Sequence, residues 1–150
     1  MGKIREWIPI KTNIPKQMED VLICSNNGEI YKAFLNLNNV WIMQNTNSLI
    51  SWRYRDEESI IAWMKLPSIY KKYSREGWIP ISKTLPDRHT PVLISTKDAI
   101  YISHVRSEGN DMWWIRNKNE KGSDSVYLSK NSVMAWMPLP EIFKTTITTI

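Results

Sequence analysis

Apolar residues in this chain fall in short runs broken by Asn, Gly, Asp and Pro clusters, and they alternate with polar residues more often than they recur at helical spacing. Such patterning predicts strands. Val21-Leu22-Ile23-Cys24-Ser25 is an apolar run stopped by Asn26-Asn27-Gly28, and Glu29-Ile30-Tyr31-Lys32-Ala33-Phe34 resumes after it, which reads as strand, tight turn, strand. Pro91–Ser95, a turn around Lys97-Asp98, and Ala99–Arg106 follow the same plan. A third strand is expected at Val40–Met43 and at Met112–Arg116, each after Asn- or Gly-rich punctuation. Ala62-Trp63-Met64 and Ala135-Trp136-Met137 predict a final strand in each half, stopped by Leu-Pro. Asp56–Ile61 offers one helical turn at most.

The two halves are copies of one plan. Trp7-Ile8-Pro9-Ile10 returns as Trp78-Ile79-Pro80-Ile81, and the same offset of 71 carries Ile14-Pro15 onto Leu85-Pro86 and Val21-Leu22-Ile23 onto Val92-Leu93-Ile94. Ala62-Trp63-Met64-Lys65-Leu66-Pro67 returns as Ala135-Trp136-Met137-Pro138-Leu139-Pro140 at an offset of 73, and Trp41-Ile42 pairs with Trp114-Ile115 between them. The expected organisation is a unit at 5–70, a polar linker at 71–75, a second unit at 76–143 and a tail at 144–150 that frays or adds an edge strand. The fold class is mainly β with little helix: two tandem copies of a small antiparallel β unit, each an SH3-like barrel or a curled sheet. Copies this small bury little surface alone, so they are expected to pack on each other or to form a homo-oligomer.

The frame of Trp-Ile-Pro-Ile, Leu/Ile-Pro, Val-Leu-Ile, a lone Trp and Ala-Trp-Met-x-Leu-Pro resembles the phage and bacterial family called domain of unknown function 551. The second copy fits it well at Trp136-Met137-Pro138-Leu139-Pro140. The first has Lys65 where the family usually has Pro, and both have Ala62 or Ala135 where many members have His. The resemblance implies a phage-type accessory protein of small β units without an established activity.

Composition narrows the function classes. At 150 residues, 42% hydrophobic and 23% charged, the chain is a globular one, and its net charge of +5 favours anionic partners. Cys24 alone gives neither an internal disulfide nor a Cys-rich zinc site, so a reducing, cytoplasmic setting is expected. No apolar run approaches a membrane span, and the N-terminal residues do not read as a secretion signal. There is no Gly-x-Ser-x-Gly, His-x-Glu, Walker or dinucleotide pattern, and no calcium-loop or zincin spacing. The expectation is a protein that is not an enzyme, with no metal and no cofactor.

Eight Trp against two Phe is the unusual number. Six of the Trp recur in both copies and read as framework, whereas Trp52 and Trp113 have no mate. In Ser51-Trp52-Arg53-Tyr54-Arg55, extended alternation separates the rings from the guanidinium groups, and in Met112–Arg116 it turns Trp113 outward if Trp114 faces the core. His104 shares a strand face with Ile100, Ile102 and Arg106, while His89 reads as a solvated loop residue. Rings beside Arg are the means of holding a flat anion, the ring stacking on a base while Arg forks onto phosphate. The candidate ligand-binding set is therefore Trp52, Arg53, Tyr54, Arg55, His104, Arg106, Trp113 and Arg116. The expected ligand is an anionic, nucleotide-like small molecule, such as an immune signal sequestered by a counter-defence protein. A module covering a host protein is the alternative, followed by single-stranded nucleic-acid binding; the charge, +1 over residues 1–70 and +4 over 71–150, is not concentrated enough to place nucleic acid first.

Overall fold

In the computed structural model, which describes residues 6–43, 52–53, 59–72, 77–106, 113–119, 122–129 and 131–144, the apolar runs become two antiparallel six-stranded sheets. The first holds β1 (Ile8–Pro9), β2 (Val21–Ser25), β3 (Ile30–Leu35), β4 (Trp41–Met43), β5 (Trp52–Arg53) and β6 (Ile60–Lys65), in the order β1-β6-β2-β3-β4-β5. The second holds β7 (Ile79–Pro80), β8 (Val92–Ser95), β9 (Ile100–Val105), β10 (Trp113–Asn119), β11 (Gly122–Leu128) and β12 (Ala135–Pro138), in the order β7-β12-β8-β9-β10-β11. The orders are identical. Among the described residues each sheet is open rather than a closed barrel, and no helix is long and apolar enough to cross a membrane.

Register repeats with the order. Leu22, Ile23 and Cys24 stand opposite Met64, Trp63 and Ala62, and Leu93, Ile94 and Ser95 stand opposite Met137, Trp136 and Ala135. Met and Trp of the closing strand thus point to opposite faces, as the two-residue period requires. The second hairpin is one residue tighter: its turn closes with Thr96 N–H donating to the Ala99 carbonyl, whereas in the first Ser25 N–H donates to the Glu29 carbonyl. That deletion shifts the correspondence downstream. Leu35 faces Trp41 and Val105 faces Trp113, so the structural mate of Trp41 is Trp113, not Trp114.

Each sheet has two apolar faces. One closes over its own unit's core, Val21, Ile23, Trp41 and Trp63 in the first and Val92, Ile94, Trp113 and Val133 in the second. The other faces meet: Leu22 and Met64 from the first sheet pack with Leu93, Ile100, Ile102 and Met137 from the second in a single cluster. Burying such side chains contributes about 1.5–3 kcal/mol each, so neither sheet is complete without its neighbour.

Two tails lock this arrangement reciprocally. The Trp7 indole N–H donates to the Glu141 carbonyl, and the Trp78 indole N–H donates to the Ser68 carbonyl. Trp7 and Trp78 hold equivalent places, and so do Ser68 and Glu141, one residue past Leu-Pro in each half. Each unit's opening Trp therefore grips the other unit's closing segment. The next backbone contacts follow the same exchange: Tyr70 N–H donates to Ser95 Oγ, and Phe143 N–H reaches the Cys24 sulfur. Gly28, at φ 83°, lies beneath the crossing segment, where a Cβ would stand 3.4 Å from Ile142 Cδ1. Both the backbone angle and that contact favour Gly there.

Lys32 departs from the pairing. It occupies the place of Ile102, is 7% exposed, donates from Nζ to the Ile100 carbonyl at 2.8 Å and lies over the Tyr101 ring at 4.9 Å. Burial lowers its pKa, and the Asp20 charge opposes that shift.

Candidate functional site

The faces that meet in the shared core run outward past it along β3–β4 and β9–β10, and there the two units stop resembling each other. On β9, His104 is the next residue outward from Ile102 on the same face and stands opposite Trp114 on β10. Their rings are tilted at 55° to each other with centroids 4.6 Å apart, within the range of aromatic contact. His89 completes the column, its ring centroid 5.7 Å from that of His104. Its turn is fixed by His89 N–H donating to the Val105 carbonyl at 2.9 Å, with His89 at φ 64°.

The first unit builds the same scaffold with other side chains. Met18 takes φ 66° and donates its N–H to the Leu35 carbonyl, so the left-handed backbone at His89 belongs to the shared turn rather than to a special demand of the site. Phe34 stands opposite Ile42 where His104 stands opposite Trp114. Met18, Phe34 and Ile42 are thus replaced by His89, His104 and Trp114: an apolar set in one unit, a ring column with titratable nitrogens in the other. Arg88 adjoins His89 in the turn, and Arg106 is exposed immediately beyond β9. Imidazole and indole rings can stack on a planar ligand, and Arg88 and Arg106, adjoining the column in sequence, are the candidate groups for holding an anion.

The sequence-derived set divides accordingly. His104 and Arg106 lie at this face, and Arg116 follows Trp114 two residues along β10. Trp113 is a correction: it is fully buried in the second unit's core, and Trp114 is the partly exposed one. The outward assignment failed because it took Trp114 for the mate of Trp41; the shorter second hairpin moves that identity by one residue, and one residue on a strand reverses the face. Trp52 and Arg53 belong to the other sheet, at the register positions of Met43 and Ile42, and Tyr54 and Arg55 lie outside the described residues. His89 and Trp114 were missed as site residues, although a hairpin alignment allowing one deletion finds Trp114.

Four framework Trp satisfy their indole N–H on backbone carbonyls: Trp7 and Trp78 across the units, Trp63 on Asn13 and Trp136 on Thr84 within them. The buried indole nitrogens of Trp113 and Trp114 have no such acceptor among the described residues. Cys24 is fully buried and burial pushes its thiol pKa up, which disfavours the thiolate a nucleophile needs. Among the described residues no three His, Cys, Asp or Glu side chains converge as a metal site would require. An open groove under the second tail, lined by Trp7, Met64, Ile142 and Phe143, carries Glu6, Glu141 and Lys144 and so has no surplus of cations for an anion.

Residues 77–142 match the model of a family described as a protein of unknown function (DUF551), a span that coincides with the second unit. No curated protein matches the chain, and no solved structure matches it.

Proposed function

We propose that this protein is a binding protein, not an enzyme, and that the β9–β10 face of its second unit takes an anionic ligand bearing a planar ring and releases it unchanged. The observation that carries this reading is the His89–His104–Trp114 column, built on a turn and strand pair that the first unit also has but furnishes with Met18, Phe34 and Ile42. In this reading the first unit is a second domain of the same family, as the repeated strand order and register support, and it serves chiefly to complete the shared core. A phage-type protein that sequesters a nucleotide-derived immune signal in the host cytoplasm fits these properties, since sequestration needs affinity and no chemistry.

The test is calorimetric titration and thermal shift against mononucleotides, cyclic dinucleotides, cyclic trinucleotides and ADP-ribose derivatives. Binding should raise the melting temperature by mass action, and His104→Phe with Trp114→Ile, the residues of the first unit, should abolish the shift. Ligand recovered in altered form, or binding that survives both substitutions, contradicts the reading.

A second reading rests on the first unit's surface. Gln17 Nε2 bridges the Leu37 carbonyl and Asn39 Oδ1, tying two turns together so that exposed Met18 and Leu37 are presented on a fixed scaffold. Such an apolar knob suits contact with a host protein, and truncation of Met18 and Leu37 would then remove that contact.

A further inference from the structure

The two exchanged tails, residues 66–70 and 139–143, hold equivalent places in the sequence and unequal ones in the structure. Each is bonded to the other unit's opening Trp and to its first long strand, β8 or β2. The first tail runs from β6 towards β7, so a sheet anchors it on both sides, whereas no strand follows the second tail among the described residues.

Packing separates them further. Leu66, Ile69 and Tyr70 of the first tail all pack against the joint core; from the second tail Leu139 does so, while Ile142, the equivalent of Ile69, is 42% exposed. Pro67 is buried and Pro140 only partly, and the gripping indoles follow suit, Trp78 being 3% exposed and Trp7 partly exposed. The acceptors differ in kind. Tyr70 N–H donates to the Ser95 hydroxyl at 2.9 Å, whereas Phe143 N–H meets the Cys24 sulfur, a weak acceptor. Along Trp7, Met64, Ile142 and Phe143 a groove of about 330 Å³ stands open to solvent, so the second tail is only partly seated on the first unit. A segment with few buried apolar contacts opens at a lower free energy than the core it lies on.

We infer that the second tail is a releasable strap: it lifts off the first unit while both sheets stay folded, baring Cys24 and the groove along Trp7 and Met64. The first tail, built on the same places, stays down until the joint core itself opens. Lifting so short a segment leaves the two sheets as one cooperative unit. Cys24 reports the motion. It is the chain's single cysteine, its side chain is fully buried on the same face of β2 as Leu22, and the backbone that reaches its sulfur belongs to the strap.

The rate at which dithionitrobenzoate labels Cys24 in the full-length protein, followed against urea at mildly alkaline pH, tests this. Below the unfolding transition the rate should be nearly independent of urea and exceed what global unfolding allows by about tenfold or more. Trp7→Phe should speed labelling about fivefold, the factor that one lost hydrogen bond represents, and Trp78→Phe should leave it unchanged over the same urea range. Deuterium exchange of the indole N–H groups gives a readout that does not involve the thiol: Trp7 should exchange by the urea-independent route and Trp78 only through global unfolding. Labelling that follows global unfolding even without urea, acceleration by Trp7→Phe and Trp78→Phe alike, or indole exchange at the same rate in both residues overturns the inference.

Discussion

The two units share strand order, ladder register, opening Trp, crossing tail and even a left-handed turn residue, at Met18 and at His89. They differ where the shared face emerges from the joint core, with Phe34 and Ile42 in one unit and His104 and Trp114 in the other. Positions that build the joint core and the tail exchange are constrained by both sheets at once, so they stay alike. Positions beyond the core are constrained by neither, and there chemistry has diverged. Lys32 is the exception that measures this constraint, a cation placed in the joint core opposite a unit that carries Ile102.

The largest effects should come from the joint core. Leu22→Ala and Leu93→Ala are each expected to cost about 2–5 kcal/mol in urea unfolding, because both side chains are fully buried. Since they lie in one cluster, the double variant should depart from additivity by about 0.5–3 kcal/mol; additive costs would mean two independent cores. Next come the reciprocal indoles. Trp7→Phe should cost about 1 kcal/mol, the net value of a hydrogen bond, and Trp78→Phe somewhat more, because Trp78 is 3% exposed and leaves a void as well.

Smaller effects belong to the tail contacts at Cys24 and Ser95. Ser95→Ala should cost about 1 kcal/mol by leaving the Tyr70 N–H without its acceptor, while Cys24→Ser, which installs the second unit's residue, should change stability by less. The smallest effect at neutral pH is expected from Lys32→Ile, neutral or stabilising by about 1 kcal/mol, since an apolar side chain replaces a buried charge. Its signature is in the pH dependence. Burial lowers the Lys32 pKa, so the unfolded chain holds that proton more tightly, and stability rises with pH from the lowered value up to the ordinary 10.5. Tyr101 acts in the opposite direction at higher pH, because its raised pKa makes the folded state hold the phenolic proton as pH climbs past 10.0. The difference between Lys32→Ile and the unaltered protein should isolate the Lys32 slope; an identical profile contradicts its buried, charge-bearing placement.

Much of the fold was legible. Period-two patterning found both hairpins, the third strands and the closing Ala-Trp-Met strands, because each is half-buried or fully buried and flanked by turn residues. The insertion of β6 between β1 and β2, and of β12 between β7 and β8, was not legible: strand order depends on long-range pairing that local pattern does not encode. Strand β11 was missed because Gly122-Ser123-Asp124-Ser125 has the composition of a loop and is held as a strand by its partner β10. At the candidate site, the period of β9 placed His104 and Arg106 on one face, whereas Trp113 and Trp114 exchanged faces through a single deleted turn residue.

Differential scanning calorimetry of the full-length protein and of Leu93→Ala tests most directly whether two sheets joined by one core and exchanged tails form one cooperative body. One transition is expected, with calorimetric and van't Hoff enthalpies equal, and Leu93→Ala should lower it as a whole. Two resolved transitions, or a Leu93→Ala variant in which only one moves, would contradict the joint core.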